Sequence, residues 1–197
     1  MREPRRVLVT GASRGLGAAL ARTLAARGER LVLVARNGAE LAQRVAECST
    51  GGAHVLGCPA DLALAAECER VAREAERALG GVDVLINNAG VGPYRPFIEN
   101  PPDELQRIVA LNLTAPMLLA RALLPGMQAR GHGYLINIAS DLARRPLANM
   151  APYVATKFGL LGFGASLHRE IRAHGIKLTT VLPGIIDSSF NGAVEGS

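Results

Sequence analysis

A chain of 197 residues, 49% of them apolar, has room for one well-buried domain and little for a second. Its apolar runs at Val7 to Val9, Leu31 to Ala35 and Val82 to Ile86 fall short of the roughly 20 residues that span a bilayer, and the start shows no signal-peptide apolar stretch, so no membrane association is expected. The net charge of +5 is spread along a chain with only 4% aromatics, which argues against a nucleic-acid surface and suits a polyanionic small molecule.

Strand-like and helical patterns alternate from the start. Arg6 to Thr10 reads as strand and Leu16 to Arg27 as helix, with Leu16, Leu20, Thr23 and Leu24 on one face. The next pairs are Leu31 to Ala35 with Ala39 to Cys48, His54 to Pro59 with Leu64 to Leu79, and Val82 to Asn87 with a long helix over Asp103 to Arg130. Tyr134 to Ala139 with Pro152 to Ala173 follows, and then Lys177 to Leu182. Strands that are apolar throughout belong to a parallel sheet covered on both faces. The expected fold is therefore α/β, a single doubly wound parallel sheet in order 3-2-1-4-5-6, forming one domain over residues 1–197. Ligands of such sheets bind beyond the carboxyl ends of the strands, where the strand order reverses between the first and fourth.

The three cysteines, Cys48, Cys58 and Cys68, form no Cys-x-x-Cys pair and have no histidine cluster beside them. Neither a zinc site nor a disulfide framework fits, no metal is expected, and a reducing cytoplasm is the simplest location. Almost all the positive charge is Arg; Lys157 and Lys177 are the two lysines.

The first strand-to-helix turn reads Thr10-Gly11-Ala12-Ser13-Arg14-Gly15-Leu16-Gly17. Its glycines allow tight dihedrals and let backbone N–H groups approach a pyrophosphate at the helix N-terminus. Such turns also occur without a nucleotide, and the spacing is not Gly-x-Gly-x-x-Gly. After the second strand, where an acid would hold a free ribose 2′-hydroxyl, the chain has Arg36 followed by Asn37. Arg36 read alone is as readily a solvated surface residue; with Arg14 on a converging turn and no acid nearby, the pair suits a 2′-phosphate.

Tyr153 and Lys157 stand four apart near the start of a helix, so their side chains share a face. An ammonium about 5 Å from a phenol, at an effective dielectric of about 20, favours the phenolate by roughly 3 kcal/mol, or about two pK units. Ser140 follows the fifth strand and can face the same site, although an isolated serine there is also an ordinary turn or cap residue. Asn112 interrupts the apolar stretch from Leu105 to Leu124; its spacing fits both a helix-bend residue and a water-holding step in a proton path. Asn87-Asn88-Ala89-Gly90 closes the fourth strand as a polar turn.

Together these motifs resemble the short-chain dehydrogenase/reductase family from the first strand to about Ser188. Thr10 to Gly17 is similar to its Thr-Gly-x-x-x-Gly-x-Gly motif, Asn87 to Gly90 to its Asn-Asn-Ala-Gly motif, and Pro183-Gly184 to the Pro-Gly after its sixth strand. The resemblance implies a Rossmann-type fold and an NADP(H)-dependent oxidoreductase that moves a hydride between NADPH and a carbonyl or alcohol. It implies a catalytic set of Asn112, Ser140, Tyr153 and Lys157. In that set Tyr153 donates the proton, Ser140 orients the carbonyl, Lys157 binds the nicotinamide ribose and lowers the tyrosine pKa, and Asn112 holds a water. The implied NADP contacts are Gly11, Ser13, Arg14, Gly15, Leu16, Gly17, Arg36, Asp61, Leu62, Asn88, Ala89, Gly90, Tyr153, Lys157, Pro183, Gly184, Ile186 and Ser188. Asp61 stands where the family contacts adenine, and Ser188 replaces the more usual Thr.

Members of the family usually continue with a substrate-covering segment, a seventh strand and a last helix, whereas this sequence stops at Ser197 and is expected to be short at that end. Substrate walls are expected from Gly92 to Phe97, from Asp141 to Met150 and after Gly184. The competing reading is an NADP-binding sensor or scaffold without chemistry, against which the complete set of four residues argues. Apolar residues on more than one face of Leu105 to Leu124 and Phe158 to Leu167 predict a homodimer or homotetramer.

Overall fold

The computed structural model describes residues 3–184. Six parallel strands form one sheet in the order β3-β2-β1-β4-β5-β6, the order expected. They are β1 (Arg6–Thr10), β2 (Arg30–Ala35), β3 (Val55–Pro59), β4 (Val84–Asn87), β5 (Gly133–Ile138) and β6 (Ile176–Val181). Between them run α1 (Gly15–Ala26), α2 (Gly38–Ser49), α3 (Ala65–Leu79), α4 (Pro102–Val109), α5 (Ala115–Arg130) and α6 (Ala151–Ile171).

The central strands β1, β2 and β4 have no polar face because both faces are covered, whereas the edge strand β6 leaves Lys177, Thr179 and Val181 exposed. Successive side chains of a strand point to opposite sides, so the central strands divide their residues between two cores. Val7 and Val9 of β1 join Leu31, Leu33, Val84 and Ile86 under Ala21 and Leu41 of α1 and α2. Leu8 joins Val32, Val34, Leu85 and Leu135 under Val71, Ala75, Leu119 and Leu123 of α3 and α5. Leu8 is fully buried, and truncating a leucine in such a place costs about 2–5 kcal/mol.

The stretch from Asp103 to Arg130, expected as one helix, is broken by a π-helical turn at Ala110–Thr114. Pro116 has no N–H to donate to the carbonyl of Asn112 four residues back, so the α-helical ladder loses a rung and the turn widens. Pro102–Arg130 as a whole is long and apolar enough to cross a membrane. Ile108, Leu119, Leu123 and Met127 of this stretch are buried in the protein interior.

Candidate active site

The glycine turn between β1 and α1 is built by contacts that exclude side chains. Gly11 and Gly15 have φ of 65° and 53°, in the left-handed region. A Cβ on Gly17 would lie 2.1 Å from the Gly11 carbonyl oxygen, and one on Gly11 would lie 2.8 Å from the Cα of Ala89. The turn is tied to the end of β4 by Asn88, whose amide donates to the carbonyls of Thr10 (2.9 Å) and Gly11 (3.1 Å). Thr10 answers by accepting the N–H groups of Asn88 (2.9 Å) and Ala89 (3.0 Å) on its hydroxyl. Thr10, the first residue of the glycine motif, is thus a positioning residue that ties the turn to β4.

Helix α1 begins with Arg14 in extended conformation, no side chain capping its N-terminus and no acid in its first turn. Its first N–H groups face the cleft with the positive end of the helix dipole behind them. A cleft of about 700 Å³ runs across the carboxyl ends of the strands, lined at one end by Arg36, Asp61 and Leu62 and at the other by Ser140, Tyr153 and Lys157. Gly11, Ser13, Arg14, Gly15, Leu16, Gly17, Asn88, Ala89, Gly90, Pro183 and Gly184 line the same cleft. Arg14 and Arg36 are exposed, and their side chains make no hydrogen bond or ion pair among the described residues. An elongated cleft with an uncapped helix start, a cradle that any Cβ would fill and two open guanidinium groups fits a dinucleotide carrying an extra phosphate. Ile186 and Ser188 lie outside the described residues.

At the other end, Tyr153 and Lys157 stand one turn apart near the start of α6, with the lysine Nζ 5.4 Å from the centre of the phenol ring. Both are buried, and Lys157 donates to the Ile138 carbonyl at 2.7 Å. Burial lowers the Lys157 pKa to about 8. The phenol does not move as its sequence neighbour suggests. Burial pushes the Tyr153 pKa above its ordinary value, and a hydrogen bond with Ser140 opposes that only in part. The expected lowering by Lys157 is therefore corrected to a net rise, because removing the phenolate from water outweighs the favourable contacts.

Ser140 caps a turn and also lines the cleft. Its hydroxyl accepts the N–H of Leu142 at 3.2 Å as a cap, and it also bonds with Tyr153 inside the cleft. Asn112 does not line the cleft but stands behind it. Its amide donates to the Val91 carbonyl (2.7 Å) and to the Thr156 hydroxyl (3.2 Å), and its oxygen accepts the Val91 N–H (2.9 Å). Gly90 lies between Asn112 and Lys157, where an added Cβ would meet the Asn112 oxygen at 3.3 Å and the lysine nitrogen at 3.7 Å. Thr156, passed over in the sequence although it lies between Tyr153 and Lys157, also donates to the Tyr153 carbonyl at 2.7 Å.

Of the expected substrate walls, Asp141, Leu142, Leu147 and Met150 line the cleft, Gly92 to Phe97 do not, and the segment after Gly184 lies outside the described residues. Gly92 packs behind Tyr153 instead, since a Cβ there would meet the ring at 2.5 Å. Arg144 and Arg145 face solvent.

The family model for short chain dehydrogenases matches residues 5–196. Ketoacyl reductase HetN of Nostoc sp. is 36% identical over 183 residues, which make up 93% of this chain and 64% of that protein. The 3-oxoacyl-[acyl-carrier-protein] reductase FabG of Escherichia coli is 35% identical over 190 residues, 95% of this chain and 76% of that protein. Among solved structures, a metagenomic short-chain oxidoreductase in complex with NADP is 40% identical with a TM-score of 0.87, covering 92% of this chain and 83% of its own. An alcohol dehydrogenase of Thermococcus sibiricus complexed with 5-hydroxy-NADP reaches a TM-score of 0.92 at 28% identity, covering 99% and 82% of the two chains. This chain belongs to the short-chain dehydrogenase/reductase family.

Proposed function

We propose that this protein is an NADP(H)-dependent oxidoreductase that reduces a carbonyl, with Tyr153 as the proton donor. The observation that carries the proposal is the convergence of Tyr153, Ser140 and Lys157 on the same cleft as the uncapped glycine turn and the two unpaired arginines. When bound, NADPH supplies a hydride to the carbonyl carbon. Gly11 to Gly17 hold its pyrophosphate, and Arg14 and Arg36 take the 2′-phosphate. Ser140 orients the carbonyl oxygen, and the Tyr153 hydroxyl gives that oxygen its proton. A phenol whose pKa lies above the ordinary value is protonated at neutral pH, which is the form that donates. Lys157 offsets the charge that develops on the phenol oxygen, and Asn112, fixed by Val91 and Thr156, holds the path by which the proton is replaced.

Relatives named for ketoacyl, 3-oxoacyl and D-beta-hydroxybutyrate substrates support a first panel of 3-oxoacyl thioesters and 3-oxo acids. Wild-type protein is expected to oxidise NADPH with one of these carbonyls. Tyr153→Phe is expected to lose about 10²–10⁴ in turnover while NADPH affinity stays within about twofold, as befits loss of a proton donor that contributes little to cofactor affinity. Unchanged turnover in Tyr153→Phe overturns the assignment.

Val109 on α4 and Phe158 on α6 are exposed apolar residues on helices that contact one another, which supports a homo-oligomer formed across that face. Light scattering is expected to give a dimer or tetramer; a monomer at micromolar concentration contradicts it. The three cysteines are buried and unpaired, in keeping with a reducing cytoplasm. A location in an oxidising compartment, seen by cell fractionation, contradicts that assignment.

A further inference from the structure

The adenine half of the cleft is walled by a residue that no motif marks. Proteins of this fold bind the adenosine ribose at the end of β2, which is Arg36 here. The base then lies further toward β3, where Ala60, Asp61, Leu62, Arg107 and Leu111 line the cleft. Arg107 reaches there from α4. Its Nη2 donates to both carboxylate oxygens of Asp61, at 3.0 and 2.8 Å, across 46 residues of sequence. Asp61 also accepts the N–H of Ala63 at 3.1 Å. Burial pushes the Asp61 carboxyl up, but these hydrogen bonds outweigh it and hold the acid below its usual range, so the pair is ionic.

One nitrogen alone ties down the guanidinium. Nε and Nη1 make no hydrogen bond among the described residues, and the side chain is 36% exposed at the cleft. What remains is a planar cation fixed at one corner, in a part of the cleft that Ala60, Leu62 and Leu111 also line. An aromatic base suits such surroundings, where a planar cation can take its π-face and apolar side chains the rest of the ring.

Building on the dinucleotide reading of this cleft, we propose that Arg107 is an adenine-binding residue, a guanidinium plate held in place by Asp61 and acting on the base rather than on the 2′-phosphate. Two consequences separate this role from its alternatives. The contribution of Arg107 is the same for NADPH and NADH, because both carry adenine. It also requires a planar group, so a lysine that keeps the ion pair with Asp61 does not replace it.

Fluorescence titration of the full chain with NADPH and NADH tests this. Arg107→Ala is expected to weaken both cofactors by a similar factor, about five- to twentyfold. Arg107→Lys is expected to recover less than half of that loss on a logarithmic scale, with the melting temperature of the cofactor-free protein held within a few degrees in both variants. The proposal is overturned by a loss confined to NADPH, which makes Arg107 a phosphate ligand. Full recovery in Arg107→Lys also overturns it, since that reduces Arg107 to a brace for Asp61, and so does unchanged affinity in Arg107→Ala. Wild-type protein that binds neither cofactor fails the dinucleotide reading itself, a result distinct from any of these.

Discussion

At the amino ends of the strands, Arg5, Arg6 and Arg130 are each held by a partner, whereas at the carboxyl ends Arg14 and Arg36 stand open. Arg5 clamps the fully buried Glu29 through Nε at 3.0 Å and Nη2 at 2.8 Å. Arg6 grips Asp83 through its backbone and side chain, with His132 3.3 Å away from the same carboxylate, and Arg130 donates to the Val82 carbonyl at 2.6 Å. Charges there are closed into pairs, so that end has little to offer a ligand. At the other end the helix start is uncapped and, among the described residues, the side chains of Arg14 and Arg36 are unpaired, which leaves fixed positive potential for an anion to enter. The difference shows which arginines serve the fold and which await a partner.

Arg36→Ala is the strongest way to break the comparison. Charge-assisted hydrogen bonds contribute about 1.5–3 kcal/mol, so NADPH is expected to bind roughly 10- to 100-fold more weakly, with NADH changed less than about twofold and thermal stability unaltered. Equal loss for both cofactors contradicts the phosphate assignment.

Asp83→Asn probes the closed end. Burial raises the Asp83 carboxyl, but the bonds from Arg6 outweigh it and bring the pKa from 3.8 to about 2. The folded protein therefore binds this proton less readily than the unfolded chain. The stabilisation is present in full above about pH 4 and fades as the pH falls toward 2, and it is worth about 2 kcal/mol. Urea unfolding should show Asp83→Asn less stable by about that amount at pH 7, with the gap closing in acid and NADPH affinity untouched. A gap independent of pH contradicts the account.

Thr156→Val should show the smallest effect. It removes two neutral buried hydrogen bonds, the one from Asn112 and the one to the Tyr153 carbonyl, each worth about 1 kcal/mol, and turnover is expected to fall about fivefold at unchanged NADPH affinity, with Thr156→Ser restoring it. Loss of affinity instead of turnover contradicts a role through Asn112.

The sheet was legible because its strands are short and spaced by helices and its central ones are apolar on both faces, so that Val7, Leu8 and Val9 announce burial before any contact is known. The site was legible where local spacing sets geometry, as with Tyr153 and Lys157 one turn apart or the glycines of the first turn. It was not legible where the third dimension decides. The sign of the Tyr153 shift depends on burial, which a neighbouring lysine in the sequence does not reveal. The break at Asn112 comes from a hydrogen bond that Pro116 cannot make, and the pairing of Arg107 with Asp61 joins segments whose nearness follows only from the folded sheet.

The most direct test of the central claim is to follow the hydride itself. NADPH carrying deuterium at both C4 positions, incubated with wild-type protein and the carbonyl it reduces, should give an alcohol with one deuterium on the former carbonyl carbon by mass spectrometry, and Tyr153→Phe should bind the cofactor yet give almost none. An unlabelled alcohol from the wild type, or equal labelled product from Tyr153→Phe, contradicts the account.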